Sequence, residues 1–179
     1  MHEVMEAHEA GEHHEEIPFM MAIAVTLSTL AVLVSIATLL GHRASTEEVI
    51  LTTRVSDQWN LFQAKNSRQH EMEVAARQLS TLMPADKEKA AEFAEEYKKE
   101  ADRYSKEKEE ASEQSKELDA ERDLASRKGN RYDAGEVILE IALIVCSLTL
   151  LTKKRIFWFT GIGVGLVGVV TTASGLLLR

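Results

Sequence analysis

Cysteine is almost absent from this 179-residue chain, with Cys146 standing alone. One thiol closes no disulfide within a chain and cannot supply a zinc cluster of the usual cysteine type. Proline is nearly as scarce. Pro18 opens an apolar run, and Met83-Pro84-Ala85-Asp86 is the one strong breaker in the long middle region. A one-sided positive charge is missing too: residues 42–133 mix 17 basic with 21 acidic side chains. A nucleic-acid platform needs a segregated basic face, so none is expected. Residues 1–16 carry six Glu and no Lys or Arg. No catalytic signature is present either. Ser56, Asp57 and His70 fall on one helical stretch with no loop to supply an oxyanion hole, so the chain reads as non-enzymatic and without a cofactor.

What the sequence does have is apolar residues gathered into three segments. Residues 17–41 form about 25 predominantly apolar positions, enough to cross a bilayer as a helix. An acidic leader and the length of this run argue against a cleaved signal. Residues 134–152 and 156–178 make two further segments, joined only by Lys153-Lys154-Arg155. A backbone in lipid must satisfy its own hydrogen bonds, so each segment is expected to be a transmembrane helix. Small residues recur on the first at Ala24, Ser28, Ala31, Ser35 and Thr38. The third carries Gly161, Gly165, Gly168, Thr172 and Gly175. Both series step by 4, 3, 4, 3, which draws one stripe along a helix, and such stripes let helices approach closely in lipid. Ala24, Ser28, Ala31, Ser35, Gly161, Gly165, Gly168 and Gly175 are therefore the expected helix-packing positions.

The polar middle, residues 42–133, also has helical periodicity. Gly41-His42-Arg43-Ala44 reads as the exit from the first span, and Ser45 with Glu48 as a capping box that starts a fresh helix. Apolar positions then recur at Leu51, Val55, Trp59, Phe62, Met72, Ala75, Leu79 and Leu82. Beyond a turn near 84 they resume at Ala90, Phe93, Tyr97, Ala101, Tyr104, Ala111, Leu118 and Ala125. Lys108, Ser115 and Arg122 occupy stripe positions among them. A stripe so polar would not hold a lone helix, so the two halves are expected to fold together as an antiparallel hairpin, a coiled-coil-like stalk. The fold class is thus an all-α membrane protein: three transmembrane helices, with the long helical hairpin between the first and second.

Several positions stand out chemically. Glu140, with Glu136 one turn earlier, is a carboxylate in an otherwise apolar helix, where charge is costly and commonly faces an interior or a partner. Trp59, Gln63, Asn66 and His70 gather hydrogen-bonding groups and an indole on the stalk for recognition or packing. In the tail, His2, His8, His13 and His14 alternate with glutamates, which suits loose capture of a transition metal or a response to pH. Charge cues for orientation pull both ways. The Lys153–Arg155 turn opposes the stalk's arginines, while the acidic tail puts the amino terminus outside and the stalk in the cytoplasm.

Taken together, several runs of residues resemble a bacterial integral-membrane family known as a domain of unknown function. They are the His/Glu-rich start, Gly41-His42-Arg43-Ala44-Ser45-Thr46-Glu47, Ser56-Asp57-Gln58-Trp59-Asn60-Leu61-Phe62-Gln63-Ala64-Lys65 with Gln69-His70, Arg131-Tyr132-Asp133, Glu140-Ile141-Ala142 and Leu150–Arg155. The resemblance covers nearly the whole chain. It implies three transmembrane helices with a long helical insertion and brings no activity, ligand or partner with it. The expectation is a homo-oligomeric scaffold in the bacterial inner membrane that encloses a conduit or none. The lipid bilayer is its surroundings, and a further protein partner is left open. An ion or proton pathway through Glu140, and a metal- or pH-responsive sensor built on the tail, are the alternatives.

Overall fold

A computed structural model describes the backbone of residues 2–81 and 86–178, with side chains from Pro18 onward. Three helices account for nearly all of it: α1 (His2–Thr81), α2 (Lys87–Thr152) and α3 (Arg155–Leu176). No strand occurs among the described residues. Five expected segments are therefore carried on three helices. The exit at Gly41–Ala44 and the capping box at Ser45 do not interrupt α1. A single glycine costs a helix only about 1 kcal/mol, and at Gly41 its missing side chain is used. A Cβ there would stand 2.7 Å from an oxygen of Asp133. Nor does α2 break between Arg131 and Ala134. Pro18 lies inside α1 instead of at a helix start; the ring removes one ladder hydrogen bond without ending the helix. The turn at Met83–Ala85 lies outside the described residues. Asp86 just beyond it caps α2, accepting from the Lys89 N–H at 3.2 Å.

The chain divides into two compact units. The first comprises residues 1–46 and 124–179, the second residues 47–123. In the first unit, Ile23, Leu30, Ala37 and Ala44 of α1 are buried at a strict spacing of seven, which keeps one stripe against a partner helix. They face Ala125, Tyr132, Leu139 and Cys146 of α2, also seven apart. The pairing is antiparallel: Thr38 reaches Glu136 and Gly41 abuts Asp133. Leu30, Ala37, Leu139, Ala142 and Cys146 form the central cluster. α3 turns back after Lys153, whose positive φ of 54° reverses the chain. It lies on the pair through Gly161, Gly165, Gly168, Thr172 and Gly175, all buried.

In the second unit, Leu51, Val55 and Ala76 of α1 are buried, as are Ala90, Ala94, Ala101, Ala111 and Ser115 of α2. The segments are antiparallel here as well, with Gln58 bonded to Gln114 and Lys65 to Glu107. Alanines dominate this seam, so little apolar area is buried per turn and polar side chains complete it. Two positions depart from the expected stripe. Trp59 is 36% exposed, stacked edge-on against Phe62 at 5.5 Å instead of filling the seam. Phe93 is 51% exposed, and its neighbour Ala94 takes the inward place. Ala94 lies seven residues before the buried Ala101, so the inward stripe passes through it and leaves Phe93 one position, about 100°, off the seam.

Candidate functional site

Glu136 and Glu140 are one helical turn apart, yet the structure separates their surroundings. Glu136 sits half-buried at the α1–α2 seam and accepts a hydrogen bond from the Thr38 hydroxyl at 2.6 Å. Glu140 is exposed, flanked by exposed Val137, Ile141 and Ile144. Among the described residues no hydrogen bond or ion pair reaches it. Four residues advance a helix by about 40° past one full turn, and Glu136 already lies at the half-buried edge of the seam, so that step carries Glu140 out of it. The interior of the unit is filled by Leu30, Ala37, Leu139, Ala142 and Cys146, so Glu140 does not point into it.

The two small-residue stripes end up in opposite situations. On α3 the stripe is the packing surface against the chain's own α2. A Cβ at Gly168 would stand 2.8 Å from Leu139 Cγ and 3.1 Å from the Leu139 backbone nitrogen, and one at Gly175 would stand 2.6 Å from the Tyr132 ring. Thr172, in the same row, turns its hydroxyl back onto the Gly168 carbonyl at 3.0 Å. On α1, Ala24, Ser28, Ala31 and Ser35 are all exposed. Among the described residues they are not part of a packed seam, because the seven-residue seam of α1 runs through Ile23, Leu30 and Ala37. The hydroxyls of Ser28 and Ser35 fold onto the carbonyls of Ala24 and Ala31 at 2.9 and 3.0 Å, so the face is smooth as well as small.

Beside the turn at Lys153, Trp158 ties α3 to α1. Its indole N–H donates to the Thr26 hydroxyl at 3.1 Å, and its ring meets Phe19 edge-on at 5.8 Å. The Arg155 guanidinium lies over Phe19 at 5.2 Å. Thr26 and Phe19 could not be found from the sequence around Trp158, because a hydroxyl and a ring on another helix leave no local signal. Tyr132, 5% exposed and seated under Gly175, was recognised only as part of a resemblance, not as a packing residue. Between α1 and α3 a shallow apolar groove of ≈ 290 Å³ runs past Thr29, Leu33, Gly165 and Val169.

In the second unit the stalk candidates divide. Asn66 is half-buried and accepts from Lys108 Nζ at 3.3 Å. Gln63 is exposed, and His70 is an exposed residue 3.3 Å from Glu73. They share a helix without forming one network. The polar centre lies elsewhere. Lys65 is bonded to Glu107 and stands over the Tyr104 ring at 5.4 Å, with Arg103 on the same ring at 4.8 Å. The Lys65 ammonium holds the Glu107 carboxyl below the ordinary carboxylate range. Glu73 is likewise lowered, by the Gln69 amide and then His70. Ser115, fully buried, satisfies its hydroxyl on the Ala111 carbonyl at 2.8 Å. His2, His8, His13 and His14 lie outside the residues whose side chains are described. Among the described residues no cluster of three or more His, Cys, Asp or Glu could hold a metal ion.

Each of the three helices contains a window long and apolar enough to cross a membrane, with mean hydropathy of 2.3, 2.1 and 1.8. The chain thus falls in the class of all-helical proteins with three candidate spans, two of them continuing into a paired polar segment. It belongs to the family DUF4337, a domain of unknown function, whose model matches residues 19–178. No curated protein and no solved structure matches it.

Proposed function

We propose that this chain is a multi-pass protein of the bacterial inner membrane that works as a non-enzymatic scaffold by associating with copies of itself. Residues 42–133 would form the extramembrane hairpin, on the cytoplasmic side. The observation that carries this reading is Glu140. A carboxylate held outward on an apolar helix has neither water nor a protein partner once the helix is in lipid. Ionised groups in a span are costly unless something pairs with them, and a neighbouring copy supplies that. The alanine-lined, polar seam of residues 47–123 supports the same reading, since a hairpin with so little buried apolar area gains from association.

Light scattering in mild detergent tests this directly. The expected result is a discrete oligomer; a strictly monomeric particle refutes the scaffold. The alternative is a cation or proton path using Glu140; with Leu30, Leu139 and Cys146 packed in the interior, such a path would run between copies. Flux in liposomes that is unchanged by Glu140→Gln would remove that alternative.

A further inference from the structure

Each copy has one flank of its α1–α2 pair covered by α3 and the other open. On α1, the residues bordering α3 include Thr26, Thr29 and Leu33. Ala24, Ala31 and Ser35 are each two residues from one of these, about 200° round the helix. On α2, Gly161 and Gly165 of α3 seat against Ala142, and Gly135 seats against Thr172. Val137, Glu140 and Ile144 are again two residues away from Gly135 or Ala142. The small stripe of α1 and the outward carboxylate of α2 therefore lie on the same open flank. Their depths also match. Thr38 is bonded to Glu136 across the antiparallel seam, so Glu140, four residues on, stands level with Val34 and Ser35.

We propose that this flank is a two-fold interface with a second copy of the chain, an inference that rests on the self-association above. When two copies in the same orientation are turned about an axis along the helices, α2 of each lies over α1 of the other at unchanged depth. The Glu140 carboxylate then meets the Ser35 hydroxyl of its partner, which can turn from the Ala31 carbonyl to donate. Ile144 and Val137, 59% and 54% exposed in one chain, enter the space left by the partner's Ala31 and Ser28–Ser35 row. A hydrogen-bonding pair and a large-against-small fit occur at the same level twice, which a lipid-facing surface does not require. The second copy is chosen over a different protein because both halves of the match are on this one chain.

The test uses full-length protein in liposomes, with Cys146→Ala removing the native thiol. Copies bearing Ala31→Cys are mixed with copies bearing Ile144→Cys, and both are oxidised. The mixed pair is expected to cross-link, while each variant alone should not, since the axis sets like positions apart and a disulfide needs Cα atoms within about 7 Å. A discrete oligomer with no mixed cross-link, or with cross-links between like positions, overturns this interface and leaves the scaffold standing. A monomer overturns both. As a second readout, Glu140→Ala is expected to weaken dimerisation about three- to tenfold with the helical content intact. An unchanged dissociation constant would refute the part assigned to Glu140.

Discussion

Two glycines on α3 allow the packing of that helix to be measured against itself. Gly168 is buried, and a Cβ there would stand 2.8 Å from Leu139 Cγ and 3.1 Å from the Leu139 backbone nitrogen. Backbone does not yield as the end of a flexible side chain does. Gly163, five residues earlier, would place a Cβ with nothing within 4 Å. Replacing glycine with alanine favours a helix by about 1 kcal/mol, and this gain is common to both sites. Overpacking typically costs about 1–3 kcal/mol, and only Gly168 incurs it. Gly163→Ala is therefore expected to be neutral or stabilising by up to about 1 kcal/mol. Gly168→Ala should be less stable than that variant by about 1–3 kcal/mol. Reversible unfolding in mixed detergent micelles, followed by Trp158 emission in a Trp59→Phe background, reads the difference. Equal stabilities would show that α3 does not lie on Leu139 as described. Gly165→Leu would report on the same intrachain packing, so it is not a clean probe of association.

Other consequences follow from single contacts. Because Lys65 lowers the Glu107 pKa, the pair stabilises the hairpin above the ordinary carboxylate value of about 4.3. That stability is lost as pH falls through the lower folded value, so an acid titration of helicity should be shallower below about pH 4.3 in Glu107→Gln; an unchanged titration would count against the pair. Ser115→Ala, which removes a fully buried hydroxyl bonded only within its own helix, should leave thermal stability unchanged or raise it by a few tenths of a kcal/mol, about the propensity difference. Ser115→Leu at the same place should cost about 1–3 kcal/mol. Trp158→Phe leaves the Thr26 hydroxyl without its indole donor and should cost about 1 kcal/mol in detergent unfolding; Thr26→Val should add little to it, and additive losses would show that the two do not interact.

Much of the fold was legible because it depends on spacing. The apolar windows, the return at Lys153–Arg155 and the Ala101, Tyr104, Lys108, Ala111, Ser115 row all follow from periods that a helix imposes on its own residues. Helix ends were harder. Gly41 with Ser45 and Glu48 has the composition of a boundary, yet α1 runs on. The local signals there are worth about 1 kcal/mol each, and the seam that buries Ala37 and Ala44 on either side of Gly41 outweighs them. Which of two adjacent side chains faces inward was also decided by contact. Ala94 rather than Phe93 is buried, because the stripe that includes Ala101 seven residues on passes through position 94 and not 93.

The small-residue rows mark where reading a sequence for function stops. Ala24-Ser28-Ala31-Ser35 and Gly161-Gly165-Gly168-Thr172-Gly175 have the same rhythm, and rhythm alone makes them equivalent packing faces. The structure assigns the glycine row to α2 of the same chain and leaves the alanine–serine row uncovered. A periodic stripe specifies that a helix can be approached closely, which is a property of one helix. What approaches it depends on which faces remain after the chain has folded. Glycine, with no side chain, permits the tightest contact and is taken up inside the chain, against Leu139 and Tyr132. The less tight alanine and serine face is left on the outside, level with Glu140, a carboxylate on an apolar helix that no hydrogen bond or ion pair reaches among the described residues. If that face meets a second copy, the features that looked redundant in the sequence divide the work: the glycine row builds the protomer, and the serine row joins protomers.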